Sequence, residues 1–158
     1  AFHGATRTIT VGERRIEARI PRGVRTGSRV RLASQGHAGV GGGNAGDLFL
    51  VIEVAPHAQF EREHDNLTCT VPVDIYTAVT GGSVRVPTID GTVLLKIPPR
   101  TQADRTFRLR GKGMPRLEHQ DERGDMYARV KLVLPEDLSE EEVETFQRLK
   151  QAQQQEAA

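Results

Sequence analysis

An internal repeat constrains this sequence more than any other feature. Ile20-Pro21 leads to Val30-Arg31-Leu32 and Gly36, and the same order returns as Ile97-Pro98, Phe107-Arg108-Leu109 and Gly113. Each copy then crosses a loop. The first resumes at Gly46-Asp47-Leu48-Phe49 and ends at Pro56; the second resumes at Gly124-Asp125-Met126-Tyr127 and ends at Pro135. Order, spacing and apolar phase agree over about 40 residues, as expected when one supersecondary unit occurs twice in a chain. The sequence therefore reads as two repeated units rather than one compact domain, with a boundary around Pro56 to His64.

The units are built of strands. From Arg15 to Ile20, Ile16, Ala18 and Ile20 fall on one face and Arg15, Glu17 and Arg19 on the other, the period-two pattern of a half-buried strand. Val30 and Leu32 repeat it. The run LFLVIEV from Leu48 to Val54 is nearly continuous in apolar residues, which predicts a strand covered on both sides. Val84 and Val86 lead through Ile89-Asp90-Gly91 into Val93, Leu95 and Ile97, and Asp-Gly between alternating runs predicts a hairpin with a type I′ turn. Asp74 to Gly82, DIYTAVTGG, is the one helical stretch expected in the body, capped by Asp74 and stopped by the glycines. After Pro135 the pattern changes. Ser139 with Glu142 fits a capping box, and Glu140, Glu141 and Glu142 suit the positive end of a helix dipole. Val143, Phe146 and Leu149 then form one apolar stripe on a helix expected to start at Ser139 and fray between Gln151 and Ala158. That stripe either docks on its own domain or meets another subunit.

Composition narrows the chemistry. With 158 residues and one Cys, the chain can fold without a staple and cannot form an internal disulfide. Its five His are scattered, so a structural zinc site is not expected. No apolar run approaches a membrane span and AFHGATRT lacks a signal-peptide core, which predicts a soluble cytoplasmic chain. The net charge of +1 hides segregation: residues 1–50 hold eight basic and three acidic side chains, whereas residues 135–158 hold two and seven. Gly41, Gly43 and Gly46 match a dinucleotide fingerprint by spacing, but they open a strand rather than a helix, so a glycine-rich connection is the better reading. Asn66-Leu67-Thr68 reads as a strand entry rather than a glycosylation site. Cys69, in phase with Leu67 and Val71, reads as a small core residue. No nucleophile elbow, carboxylate pair or metal constellation is visible, so no enzyme is expected. The Arg-rich faces of residues 1–50 offer an alternative, a nucleic-acid-binding β module, although few aromatic residues are available for base stacking.

The segments AFHGATRTITV, RIPRGVRTGSRVRL, GDLFLVIEVAPHAQFERE, AVTGGSVRVPTIDGTVLLKIP, FRLRGKGMPRL and RGDMYARVKLVLPEDLSEEE together resemble the C-terminal substrate-binding region of DnaJ-type J-domain co-chaperones. The resemblance implies a mainly β fold of two tandem β-sandwich-like domains, residues 1–58 and 59–136, followed by a C-terminal α-helix and tail, 137–158, for dimerisation. It implies the zinc-free class with CbpA-like proteins, since the loop from Gly36 to Gly46 stands where other members carry four C-x-x-C-x-G-x-G repeats. It implies no cofactor, no membrane contact, and as partners unfolded client proteins and a DnaK-type chaperone. No His-Pro-Asp is present, so this chain by itself is not expected to stimulate ATP hydrolysis by that partner. The family has one more strand upstream of residue 1 that supplies part of the client groove. The groove lining carries over to Ile9, Val11 and Leu50, and Leu48 and Ile52 share the face of Leu50. Arg7, Arg14 and Arg15 match the place where some relatives hold an acidic chaperone tail, and Val143, Phe146 and Leu149 fall in the dimerisation segment.

Overall fold

The computed structural model describes residues 1–39, 41 and 43–158, and its architecture is mainly β with a helix at the C-terminal end. Strands β1 (Ala5–Val11) and β2 (Arg14–Ile20) form an antiparallel hairpin, and β3 (Arg29–Leu32) pairs antiparallel with β4 (Leu48–Val51). An exposed stretch around Ala55–Gln59 leads to β5 (Glu61–Glu63) and β6 (Asn66–Asp74). A short helix α1 (Ile75–Thr80) follows, then the hairpin of β7 (Gly82–Thr88) and β8 (Gly91–Ile97). Strands β9 (Thr106–Leu109) and β10 (Met126–Val133) complete a sheet of order β5-β6-β10-β9, in which β10 runs parallel to β6 and antiparallel to β9. Helix α2 (Glu140–Glu156) ends the chain.

The sequence repeat has a counterpart in strand register. Ile9 faces Ile16 across β1 and β2 as Val86 faces Val93 across β7 and β8. Val30 faces Leu50 across β3 and β4 as Phe107 faces Ala128 across β9 and β10. Even the side-chain latches repeat. Asp47 accepts from Arg31 Nε at 2.6 Å and from the Ser34 amide at 3.0 Å, and Asp125 accepts from Arg108 Nε at 2.7 Å and from the Gly111 amide at 2.9 Å. These donors, the amide first in each case, hold both carboxyls below the ordinary aspartate range. The Gly36 and Gly113 amides donate to the carbonyls of Gly46 and Gly124, closing both loops at the same point. Val40 and Gly42 lie outside the described residues, whereas Gly41, Gly43 and Gly46 are described and lead into β4 rather than a helix.

The two copies differ in how well they close. Leu67, Cys69, Val71 and Val73 from β6, Ala78 from α1, Val86 from β7, Leu95 and Ile97 from β8, and Met126, Ala128 and Val130 from β10 form one buried core in the second unit. Burial lifts the Cys69 thiol pKa above its usual value, so the group behaves as a small apolar side chain. In the first unit, among the described residues, only Ile16, Ala18 and Val24 are buried apolar residues.

Local signals set the helices. Asp74 Oδ1 accepts from the Thr77 amide at 2.8 Å, and Gly81, at φ 83°, ends α1 with its amide on the Thr77 carbonyl. The capping box of α2 is present on both sides: Glu142 N–H donates to Ser139 Oγ at 3.2 Å and Ser139 N–H to Glu142 Oε2 at 2.7 Å.

Two expectations need correction. The hairpin loop is Ile89-Asp90, and neither residue nor Gly91 takes a positive φ, so the turn is not type I′. Asp90 is instead held by side chains, accepting from Thr88 Oγ1 at 3.2 Å and from Arg123 Nη1 at 2.7 Å. Nor is LFLVIEV covered on both sides. Phe49 and Val51 are 55% and 68% exposed, because β4 lends one face to the interior and leaves the other uncovered.

The units meet at a joint that is apolar at Phe2, packed against the second unit's core with the Arg123 guanidinium 4.8 Å from its ring centroid, and polar around Arg62 and Arg25. Arg62 of β5 donates to the carbonyls of Val24 at 2.8 Å, Gly23 at 3.1 Å and its own neighbour His64 at 2.7 Å. Arg25 pairs with Asp65 at 2.8 Å. Gly23, at φ 84°, lies so close to the backbone of Pro115 to Leu117 that a Cβ there would collide with it.

Candidate functional site

The repeat supplies its own comparison for the predicted groove. Ile9 and Val11 on β1 correspond to Val86 and Thr88 on β7, and Leu48, Leu50 and Ile52 on β4 and its continuation correspond to Met126, Ala128 and Val130 on β10. All five second-unit residues are buried, whereas all five first-unit residues are half-buried. The difference traces to β6 and α1. In the second unit β6 pairs along the whole of β10, and Val71, Val73 and Ala78 fill the core behind it. Among the described residues β4 pairs with β3 alone. One edge of β4 thus has no partner strand among the described residues, beside the half-buried Leu48, Leu50 and Ile52; the repeat spacing places the counterpart of β6 upstream of residue 1. The same contrast appears at the glycines before these strands. A Cβ on Gly124 would run into the Asp65 backbone, whereas a Cβ on Gly46 would meet nothing within 4 Å.

The basic residues divide between two faces. Cross-strand pairing sets Arg7 opposite Ala18 and Arg14 opposite Val11, on the face of β1 and β2 that carries Ile9 and Ile16. Arg14 Nη2 also donates to the Gly36 carbonyl at 3.2 Å. Arg15 pairs with Thr10 on the opposite face, with Glu17 and Arg19. Two guanidinium groups thus share the face of Ile9 and Val11, one of them tied to the Gly36 carbonyl. Among the described residues no three His, Cys, Asp or Glu side chains gather as metal ligands.

The family model described as DnaJ C terminal domain matches residues 1–135. The chain belongs to this family. It is 44% identical over 136 residues to a protein from Vesicomyosocius okutanii named Chaperone protein DnaJ, covering 86% of this chain and 37% of that protein. A protein of the same name from Xanthobacter autotrophicus is 46% identical over 133 residues, covering 84% and 35%, and one from Natronomonas pharaonis is 42% identical over 140 residues, covering 89% and 37%. The chain spans little more than a third of the length of the curated relatives it matches.

The matched DnaJ C terminal domain stops at Pro135, so α2 lies beyond it. No residue of α2 is buried: Val143 and Leu149 are exposed, and Phe146 is half-buried with its ring 6.0 Å from that of Tyr76. The stripe predicted from Val143, Phe146 and Leu149 therefore finds little cover on its own DnaJ C-terminal domain, and Leu134 and Val79 are exposed as well. Among the described residues, no helix is long and apolar enough to cross a membrane. Sequence reasoning missed Arg62 and the joint it makes. Its segment, EREH, looks like any polar strand end, and a bond to carbonyls nearly forty positions away leaves no periodic trace.

Proposed function

We propose that this chain is the client-holding part of a J-domain co-chaperone, binding extended apolar segments of unfolded proteins and presenting them to a DnaK-type chaperone in the cytoplasm. The observation that carries the proposal is a pair of half-buried apolar sets, Ile9 and Val11 on β1 and Leu48, Leu50 and Ile52 on β4 and its continuation, in a chain of the DnaJ C terminal domain family. The shared name Chaperone protein DnaJ among the relatives supports the role. No chemistry is required. A client buries apolar side chains at about 25 cal/mol per Å² and adds main-chain hydrogen bonds, while ordering of the segment offsets much of the gain. Affinity per groove is accordingly weak, which suits release to a partner. Arg7 and Arg14, with Arg15 on the reverse face, are the residues to hold an acidic tail of that partner.

Residues 1–58 act as the client-binding domain and 59–136 as the second β domain, in the zinc-free, CbpA-like class. Residues 137–158 act in homodimerisation through Val143, Phe146 and Leu149. Two grooves on one dimer raise the effective concentration of the second contact and so the overall affinity for a long client. The groove is tested by titrating an apolar heptapeptide into the chain and following backbone amide resonances. Shifts are expected at Ile9, Val11, Leu48, Leu50 and Ile52; shifts confined to the outer face around Arg15 and Arg19 would remove the assignment. For the helix, Phe146→Asp is expected to halve the particle mass seen by light scattering. An unchanged mass would leave α2 as an intrachain appendage.

A further inference from the structure

We infer that a client segment lying in the groove continues into the cleft between the two units, where one of its bulky apolar side chains is seated. This rests on the groove reading above. Along β4 and its continuation, Leu48, Leu50, Ile52 and Val54 are all half-buried while Phe49, Val51 and Glu53 are exposed, so one apolar row runs off the end of the strand. Pairing with the preceding segment runs on with it. Ile52 N–H donates to the Ser28 carbonyl at 2.9 Å, Gly27 N–H to the Ile52 carbonyl at 2.7 Å, and Val54 N–H to Thr26 Oγ1 at 3.0 Å. At its end, Val54 forms part of the wall of a cleft of about 860 Å³.

The second unit contributes much of the cleft's lining. Phe60, Leu67 and Met114, all buried core residues, line it with half-buried Ile89, and Pro56 closes the first-unit side. The volume falls within the roughly 300–1,000 Å³ of pockets that enclose most of a small ligand, ample for an aromatic side chain with its neighbours. The charged groups at the rim are largely committed: Arg25 to Asp65, and Arg62 to three carbonyls. What remains is Glu61 and the imidazoles of His3, His57 and His64, and the Glu61 carboxylate disfavours an acidic flank to the anchor. From Leu48 to Val54 an extended chain covers about 20 Å. A segment must therefore outreach the groove before the cleft adds anything, and the substrate class becomes extended segments with a large apolar residue about six residues to one side of an apolar block.

Three labelled peptides test this: an apolar heptapeptide, and two longer forms that carry a terminal Trp after a polar spacer at one end or the other. One of the extended forms is expected to bind about tenfold tighter than the heptapeptide. Val54→Asp is expected to abolish that gain, weakening the favoured extended form about tenfold and the heptapeptide by much less. Pro56→Asp, at an exposed position, asks the same question should Val54→Asp fail to fold. Equal binding of all three peptides, or equal weakening of short and long forms by both variants, would overturn the cleft subsite while the groove stood. Absence of binding by all three would bring down the groove reading as well.

Discussion

In a double variant carrying Ile9→Ser and Leu50→Ser, suppression of client aggregation is expected to fall to background while the fold and the dimer persist. Both residues are half-buried, so the folded chain loses only part of the stabilisation that full burial would give. A bound client feels the change more, because the remaining apolar area of both side chains is what it would cover. If client binding accounts for about 1 kcal/mol at each position, the pair removes about 2 kcal/mol, near thirtyfold in affinity. The matched control is Phe49→Ser with Val51→Ser, which removes more exposed apolar surface from the opposite face of the same strand. That control is expected to hold clients normally. Aggregation assays at fixed client concentration decide it: full activity in the Ile9 and Leu50 variant ends the groove assignment, and equal loss in the control means that apolar exposure, not the groove, does the holding.

The second large effect separates the two copies of the repeat. Gly124→Ala is expected to destabilise the chain by about 4 kcal/mol or more, a loss reserved for changes that force backbone apart. The added methyl would occupy the space of the Asp65 carbonyl. Asp65 and Asn66 cannot move aside cheaply, because the Met114 amide donates to the Asp65 carbonyl at 2.8 Å and the Asp125 amide to Asn66 Oδ1 at 2.9 Å. For a chain of this length such a loss lowers Tm by about 10 °C or more. Gly46→Ala, at the equivalent position of the first unit, meets open space and is expected to stay within about 0.5 kcal/mol. Thermal unfolding of the two variants side by side checks this. Similar midpoints would mean that the first unit is packed as tightly there as the second.

How far these features could be read from the sequence depends on the range of the interaction behind each. The capping box at Ser139 and the cap at Asp74 involve residues three apart, and both were legible. So were the strands around Ile16 and Val86, since alternation is itself a local property. Pairing partners were harder. That β10 would run parallel to β6 rather than beside β8 depends on contacts across some sixty positions, which no window of residues contains. Periodicity also reports which residues are apolar, not how many sides are covered, and for this reason Phe49 and Val51 looked interior. The turn at Ile89-Asp90 shows a third limit. A dipeptide preference gave way to tethering by Arg123, a residue from another loop. Of the site itself, the candidate residues could be named, but their half-open state came only from setting the two copies side by side.

The joint at Arg62 has a consequence for how such chains can diverge. On the first-unit side, Arg62 is received by the main-chain carbonyls of Gly23 and Val24. Carbonyls do not change when side chains are exchanged. Exchange of other first-unit side chains thus leaves these two acceptors in place, provided Gly23 keeps its missing side chain. This part of the joint passes unchanged through substitutions that would alter the Arg25–Asp65 pair or the packing of Phe2.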